Sequence, residues 1–394
     1  MSETGLARIA PGAVNRIRTW WGPRIVTQVV TICAVIALFY LLGRNTFVTM
    51  ERIGITPGFG FLGHAAGFEI GESPIPFSPG NTYAYAMLAG VINTLRVAAP
   101  GCVLATVLGV AVGIAVLSGN MLLAGLARGY IETIRNTPLL LQLFFWVSLT
   151  KALPPPRQAQ PLLDAVFLTN RGIFFPGVTF ENSPAVAGLA VVAVLAGCAF
   201  FSWRARRRGA LSKRGTLPAA LAAAALAGVA FALAGGRVGF DVPALAGFNI
   251  RGGAVITPEF TALLIGLTVK FSAAIAEIVR AGIQSVGQGQ WEAARALGLH
   301  RGQIMRLVVI PQALRVITPP ITSNYLDLTK DSSLAVAIGY PDLVSIVNTT
   351  ANTTGQAFEA LVILIGVFLV INLSVSYAMN VYNRRVALRG AARR

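Results

Sequence analysis

The chain of 394 residues is both strongly apolar and strongly basic. Apolar residues make up 55% of it and charged residues 12%, and the mean hydropathy is +0.68. A soluble domain carries about 25% charged residues, so these values exclude that class and are typical of a membrane protein. The net charge of +17 does not indicate nucleic-acid binding, because the basic residues are spread between apolar segments rather than gathered beside aromatic ones.

Eight apolar segments are interpreted as membrane-spanning helices, which need about 20 residues to cross a hydrocarbon core about 30 Å thick. They are approximately Ile25–Leu42, Val91–Leu117, Leu139–Leu153, Ala185–Trp203, Leu217–Gly235, Phe260–Ala281, Pro311–Leu328 and Phe358–Val381. In the seventh, Pro311, Pro319 and Pro320 predict a bend. No small-residue cleavage site follows the first segment, so it is predicted to remain in the protein. The sequence therefore predicts an all-α, polytopic helical bundle.

Composition divides the chain into three parts. Residues 1–84 are predicted to hold a first helix and an outer loop, residues 85–385 the transmembrane domain, and residues 386–394 a basic tail. The transmembrane domain has a core at 85–155 and 255–385, interrupted by a helical hairpin at about 185–235 whose two spans contain no ionisable residue. Four segments rich in Gly, Pro, Asn and Thr are predicted to be irregular outer loops: about 43–81, 154–184, 236–257 and 331–356.

The basic residues between the spans predict the orientation of the chain. Twenty-one Lys and Arg residues fall on the side that carries both termini, against seven on the opposite side. Because loops rich in Lys and Arg stay in the cytoplasm, both termini are predicted to be cytoplasmic.

Motifs for metal, nucleotide or catalytic sites are absent from the sequence or lie in the wrong context. The cysteines have no CxxC spacing, and the GxGxxG match at Gly58–Gly63 falls in an outer loop rather than after a strand. No GxxxxGK[ST] motif occurs, so ATP would have to be bound by a partner. Gly109 and Gly113 form a GxxxG pair that allows two helices to approach closely, either within this chain or between chains.

The segment between the sixth and seventh spans is unusual for a loop. Residues Gln290–Leu297 favour a helix, Gly298 is placed to end it, and a second short helix is predicted from near Arg301 to Pro311. The first helix would be about 12 Å long, too short to span a membrane. Two interpretations remain open on these grounds: an amphipathic loop in the lipid headgroups, and a helix that docks into a partner protein.

The same segment resembles the EAA loop of binding-protein-dependent ABC importers. In that loop EAA is followed by three residues, a glycine, nine residues, an isoleucine, one residue and Leu-Pro. The corresponding positions here are Glu292, Ala293, Ala294, Gly298, Val308, Ile310 and Pro311. Four further segments are similar to the polar amino acid permease branch: NTLRVA (Asn93–Ala98), IETIRNTPLLLQLFF (Ile131–Phe145), AEIVRAGIQSVGQGQWEAARALG (Ala276–Gly298) and TKDSSLAVAIG (Thr329–Gly339).

This resemblance implies a five-helix importer permease core, to which an N-terminal helix and a hairpin have been added as in general L-amino acid systems. It implies a non-catalytic channel-forming subunit of the bacterial inner membrane that moves L-amino acids from the periplasm to the cytoplasm. The implied partners are two copies of a separate ATPase that binds ATP and Mg, a second and non-identical permease, a periplasmic amino-acid-binding protein and membrane lipid, with no nucleic acid. No cofactor is expected in this chain. The residues expected to couple to the ATPase are Glu292, Ala293, Ala294, Gly298 and Pro311.

Ionisable residues within the spans are candidates for the substrate path, because they are costly in lipid. Four are selected: Lys270, Glu277, Lys330 and Asp331. Lys270 could meet the carboxylate of an amino acid or form a structural pair with Glu277. Lys330 and Asp331 could meet the two charges of a zwitterion. A secondary, ion-coupled amino acid transporter is the alternative function, although no repeated halves are evident.

Overall fold

The computed structural model describes residues 25–52, 54, 58–162, 165–181 and 237–391. Helices dominate these residues, as the sequence predicts. They are α1 (Ile25–Arg52), α2 (Tyr83–Val116), α3 (Met121–Asn136), α4 (Leu139–Lys151), α5 (Pro258–Gln284), α6 (Gln288–Ala296), α7 (Arg301–Ile304), α8 (Ile310–Asp331), α9 (Leu343–Thr354) and α10 (Ala357–Ala391). A π-helical turn, Met305–Val309, joins α7 to α8, and 3₁₀ turns occur at Phe59–Gly63, Pro156–Gln158 and Ser332–Ile338.

Five helical segments among the described residues are long and apolar enough to cross a membrane. They are Val26–Thr49, Tyr83–Val116, Pro258–Gln284, Arg301–Ile338 and Ala357–Arg384, and α4 is a shorter apolar helix. Six of the predicted spans are therefore helical. The predicted hairpin at about 185–235 lies outside the described residues, so the count of eight stays a prediction.

The two ends of the bundle differ in structure. We call the end that carries α3, α6 and α7 the loop end, and the end that carries the β-strands the strand end. Helices α2, α5 and α10 begin at the strand end and run to the loop end, whereas α4 and α8 run in the opposite direction. Helix α10 continues to Ala391, so most of the predicted tail at 386–394 prolongs this helix.

The prolines of the seventh predicted span lie inside a continuous helix. Pro319 and Pro320 occupy the interior of α8, which runs unbroken to Asp331. Hydroxyl and amide side chains bond to carbonyls one turn earlier, as Thr322 Oγ1 does to Thr318 O (3.1 Å) and Asn324 Nδ2 to Pro320 O (3.1 Å). Packing against neighbouring helices allows proline within membrane helices.

Two of the segments predicted to be irregular contain β-strands, so that prediction is wrong. The strands are β1 (Pro161–Leu162), β2 (Val166–Thr169), β3 (Gly172–Phe175), β4 (Gly177–Glu181), β5 (Arg237–Asp241), β6 (Ala244–Ala246), β7 (Asn249–Arg251) and β8 (Ala254–Ile256). They form an antiparallel sheet of order β1-β2-β3-β8 and the pairs β4-β5 and β6-β7. Pairing between segments distant in sequence, such as Ile173 with Ile256, stabilises strands that local composition does not indicate.

The outer segments at 43–81 and 331–356 are also more ordered than predicted. Helix α1 extends to Arg52, and the 3₁₀ turn Ser332–Ile338 and α9 together occupy most of the second segment. The Asp342 side chain accepts a hydrogen bond from Ser345 N (2.8 Å) at the start of α9, and Gly355 ends the helix at φ +74°. The content of Thr and Asn predicted a loop here, and that prediction is wrong. The threonines of α9 are accommodated in the helix because they bond to carbonyls of the preceding turn, as Thr350 Oγ1 does to Ile346 O (2.8 Å).

Helix α5 forms the centre of the bundle, where α2, α4 and α8 all pack against it. The close approach of α2 depends on the GxxxG pair. A Cβ atom on Gly109 would lie 2.7 Å from Ile275 Cβ, and one on Gly113 would lie 2.7 Å from Ala276 O. The partner of this motif, left open by the sequence, is therefore α5 of the same chain. Helix α1, in contrast, buries none of the residues in its apolar window.

We predict that Gly109→Leu destabilises the purified chain, because α2 cannot move away from α5 without losing its other contacts. Overpacking of this kind costs about 1–3 kcal/mol. The measurement is the thermal unfolding midpoint in mild detergent, followed by size-exclusion chromatography. Ala111→Leu, on the exposed side of the same helix, is the matched control. Equal midpoints for the two variants would contradict the packing described here.

Candidate functional site

Helix α6 ends in a tight cap at the loop end. Gly298 has φ +73°, a left-handed conformation that favours glycine. Gly298 N donates to Arg295 O (2.9 Å) and Leu299 N donates to Ala294 O (3.3 Å), the two bonds of a Schellman motif. The predicted helix over 290–297 and its termination at Gly298 are confirmed.

The residues of the EAA pattern do not share one face of α6. Ala294 is buried and joins the core cluster that includes Ile304 and Val309, so it fastens α6 to the bundle. Glu292 and Ala293 are exposed, and so is Leu297, at 79% of its surface. Leu297 was not among the residues predicted to contact the ATPase, although a large apolar residue just before the helix-ending glycine is an available signal.

The segment after α6 connects it to the spanning helix α8. The π-helical turn carries the chain from α7 into α8 without a break, and Pro311 lies in the first turn of α8. Gln312 Nε2 donates to Gln290 Oε1 (3.2 Å), which ties the start of α8 to the start of α6. A displacement of α6 would therefore be passed to α8 through direct contacts.

Lys270, on α5, caps the end of helix α3. Its Nζ lies 3.4, 3.2 and 3.1 Å from the carbonyl oxygens of Ile134, Arg135 and Thr137. Gln142 Nε2 donates to the first and third of these carbonyls, both at 3.1 Å. The carbonyls at a helix C-terminus carry partial negative charge, so a cation there is stabilising.

The other candidates for the substrate path, Glu277, Lys330 and Asp331, lie in two groups. Glu277 accepts from Arg280 Nε (2.9 Å), so its ion-pair partner is Arg280 rather than Lys270. Both line a cavity of about 830 Å³ at the loop end. At the end of α8, Lys330 Nζ lies 3.8 Å from Asp327 Oδ1, and the half-buried Asp331 is close enough to Lys270 to interact with it electrostatically.

A polar cluster near the strand end was not selected from the sequence. Arg96 Nη1 pairs with Glu72 Oε1 (2.6 Å) and its guanidinium lies 4.9 Å from the centre of the Phe260 ring. Asn93 is fully buried and donates to Glu72 O (2.8 Å) and Pro341 O (2.9 Å). Asn93 and Arg96 both belong to the motif NTLRVA, which is similar to the polar amino acid permease branch. That motif was the signal in the sequence that could have indicated them.

Asp342 lies beside this cluster, in the turn before α9. Its side chain is almost fully buried, and burial raises the pKa of the carboxyl to about 7 although backbone N–H groups partly offset this shift. Leu343, the residue after Asp342, donates a backbone hydrogen bond to Thr94 Oγ1 (3.2 Å). This bond holds the turn against α2.

Comparison with known proteins defines the class of the chain. Residues 105–388 match the family described as the binding-protein-dependent transport system inner membrane component. The amino-acid ABC transporter permease protein YhdX of Escherichia coli is 45% identical over 379 residues, covering 94% of this chain and 95% of the relative. The chain belongs to this family and is a multi-pass membrane protein.

Two further relatives are similar over almost the whole chain. The general L-amino acid transport system permease protein AapQ of Rhizobium johnstonii is 43% identical over 365 residues, covering 92% of this chain and 91% of the relative. The glutamate/glutamine/aspartate/asparagine transport system permease protein BztB of Rhodobacter capsulatus is 37% identical over 400 residues, covering 91% and 94%. The likeness therefore extends well beyond the core.

We predict that Asp342→Asn weakens the pH dependence of stability. The folded-state pKa lies above the ordinary value of 3.8, so the native state binds the proton more tightly than the unfolded state does. The contribution of Asp342 to stability is therefore fully present below about pH 4 and is lost as the pH rises towards about 7.

The thermal unfolding midpoint in detergent, measured between pH 4 and pH 7.5, should fall more steeply with pH for the native chain than for the Asn variant. Asparagine keeps an oxygen that can cap α9. Glu69→Gln, which changes an exposed carboxylate at the same end, is the control. Parallel curves for the native chain and Asp342→Asn would show that the buried carboxyl does not titrate in this range.

Proposed function

We propose that the chain is the permease subunit of an ATP-binding-cassette importer for L-amino acids. The observation that carries the proposal is its 43% identity to AapQ, a general L-amino acid transport system permease, over more than nine-tenths of both chains. An EAA loop held as a rigid, exposed helix supports a role in energy coupling. The chain itself is non-catalytic in this proposal, and ATP and Mg are bound by the partner ATPase.

The ATPase docks on the exposed side of α6 in this proposal. Glu292 and Ala293 contact the ATPase together with Leu297, whereas Ala294 anchors the helix from within the permease. Gly298 sets the direction of the chain after α6, and Pro311 begins the helix that receives the motion. Two ATPase copies would close on ATP and push α6 towards the membrane.

We predict that Gly298→Asp abolishes transport and co-purification of the ATPase. Aspartate and asparagine both tolerate a left-handed conformation, and a Cβ at this position meets no other atom. The isosteric Gly298→Asn is therefore the matched control, and only the aspartate places an unpaired charge in the docking surface. The measurement is recovery of the ATPase with the affinity-purified permease, followed by vanadate-sensitive amino acid uptake in proteoliposomes that also contain the binding protein.

The native chain should recover the ATPase, and uptake should require ATP. Gly298→Asn should retain most of this activity. Uptake by the native chain that is driven by an ion gradient without ATP would overturn the proposed function in favour of a secondary transporter. Normal recovery and uptake with Gly298→Asp would instead refute only the assignment of the docking surface.

The substrate path runs past Lys270 and Asp331 in this proposal. A zwitterion carries one charge of each sign, and the two residues place an ammonium and a carboxylate near each other at the junction of α3, α5 and α8. Lys330 is assigned to the entrance beside them. Glu277 lies nearer the loop end, where it and Arg280 line the cavity through which an amino acid would leave.

We predict that Lys270→Met lowers the apparent affinity for amino acid uptake by about tenfold or more, since the substrate carboxylate loses the attraction of a nearby positive charge. Gln142→Leu is the control, because it removes hydrogen bonds to the same carbonyls of Ile134 and Thr137 without removing a charge. The measurement is the concentration dependence of uptake in proteoliposomes. Equal effects of the two variants would show that Lys270 serves only to hold the end of α3.

The assembly and orientation are also part of the proposal. The permease would pair with a second, non-identical permease, and a periplasmic amino-acid-binding protein would deliver substrate at the strand end. The loop end would then face the cytoplasm, with both termini on that side, as the excess of Lys and Arg there supports.

A further inference from the structure

We propose that an apolar cavity near the loop end binds one acyl chain of an anionic phospholipid from the cytoplasmic leaflet. The cavity has a volume of about 480 Å³ and lies between α2, α5, α8 and α10. Its walls include Val110, Ile283, Met305, Ile317 and Met379. The cytoplasmic placement rests on the proposed orientation, whereas the cavity itself does not.

The chemistry of the cavity walls selects an apolar occupant. The hydroxyls of Tyr325 and Thr106 at the end nearer the membrane centre bond to each other at 2.7 Å, so they do not require a polar ligand. The Thr318 hydroxyl bonds to Leu314 O, and apart from these hydroxyls and Tyr382 the lining is apolar. An apolar cavity of this kind stays dry and accepts apolar molecules. Tyr382 at the edge of the cavity is half-exposed, which leaves a way in from the surrounding lipid.

The position along the helices places the cavity in one leaflet. Thr106 and Val110 lie in the half of α2 nearest the loop end, and Met379 lies in the corresponding half of α10. Ile310, in the first turn of α8, lines the cavity as well. A molecule that enters here therefore keeps its polar end at the loop end.

A basic residue beside the cavity complements an anionic headgroup. Arg306 follows Met305 directly. Its side chain is exposed and forms no ion pair with another described residue. Each arginine near an anionic lipid surface contributes about a fivefold gain in binding. A phosphate at this end and an acyl chain in the cavity satisfy both features with one molecule.

The cavity also borders the segment that links α6 to the membrane. Met305 begins the π-helical turn and Ile310 begins α8, so an acyl chain would contact the connection through which α6 displaces α8. A bound lipid would thus fill the space next to the moving element and support it from the side opposite α6.

The test is native mass spectrometry of the purified full-length chain in detergent, titrated with dipalmitoyl phosphatidylglycerol or dipalmitoyl phosphatidylcholine. We expect one tightly bound phosphatidylglycerol, and its loss in Val110→Phe, which fills the cavity. Val107→Phe is the matched control, one turn away on the same helix and 65% exposed. Arg306→Ala should bind phosphatidylglycerol about fivefold more weakly. Arg52→Ala, at the strand end, should not change binding.

Three results would overturn the proposal. Equal lipid binding by Val110→Phe and Val107→Phe would exclude the cavity as the site. Equal affinity for the two lipids, unchanged in Arg306→Ala, would exclude the anionic headgroup. Loss of the second permease from the assembled complex in Val110→Phe, with lipid binding unchanged, would show that a protein helix occupies the cavity. None of these readings depends on transport, so they are independent of the test of the proposed function.

Discussion

Close contact between α2 and α5 is the constraint on which the rest of the bundle depends. In a membrane, helices gain little from the hydrophobic effect when they associate, so packing at short range has to hold them together. Gly109 and Gly113 provide that packing, and they bring α2 against Ile275, Ala276 and Val279. With α2 fixed on one side, α5 presents Lys270 to α3 and Gly282 to α8.

The sequence predicted the features that depend on local pattern. Hydropathy located six spans among the described residues, and the helix formers before Gly298 located α6. The features that it missed depend on contacts between distant residues. Strand β3 pairs with β8 across about eighty residues, and Lys270 meets carbonyls more than 130 residues earlier in the chain. The composition near either segment does not indicate which distant residues it contacts.

The candidate site also combines features that local pattern predicts with contacts that only the folded chain shows. The EAA pattern identified α6 as a segment, but burial distinguishes Ala294, which packs inward, from Ala293, which is exposed. Lys270 was selected as an unusual intramembrane charge, but its partners could not be read from the sequence. The sequence offered Glu277 as a partner because it lies two turns away on the same helix, yet Arg280 is closer in the folded chain.

Under the proposed function, the contacts around α8 would allow one helix to serve both coupling and substrate passage. At its start, Gln312 bonds to Gln290 of α6, and Ala313 and, one turn further, Ile317 pack closely against Gly282 of α5. At its end, Asp331 lies near Lys270, which itself holds the joint between α3 and α4. A close-packed contact transmits displacement rather than absorbing it. Under the proposed function, a shift of α6 would therefore move the start of α8 and change the surroundings of Lys270 at its far end.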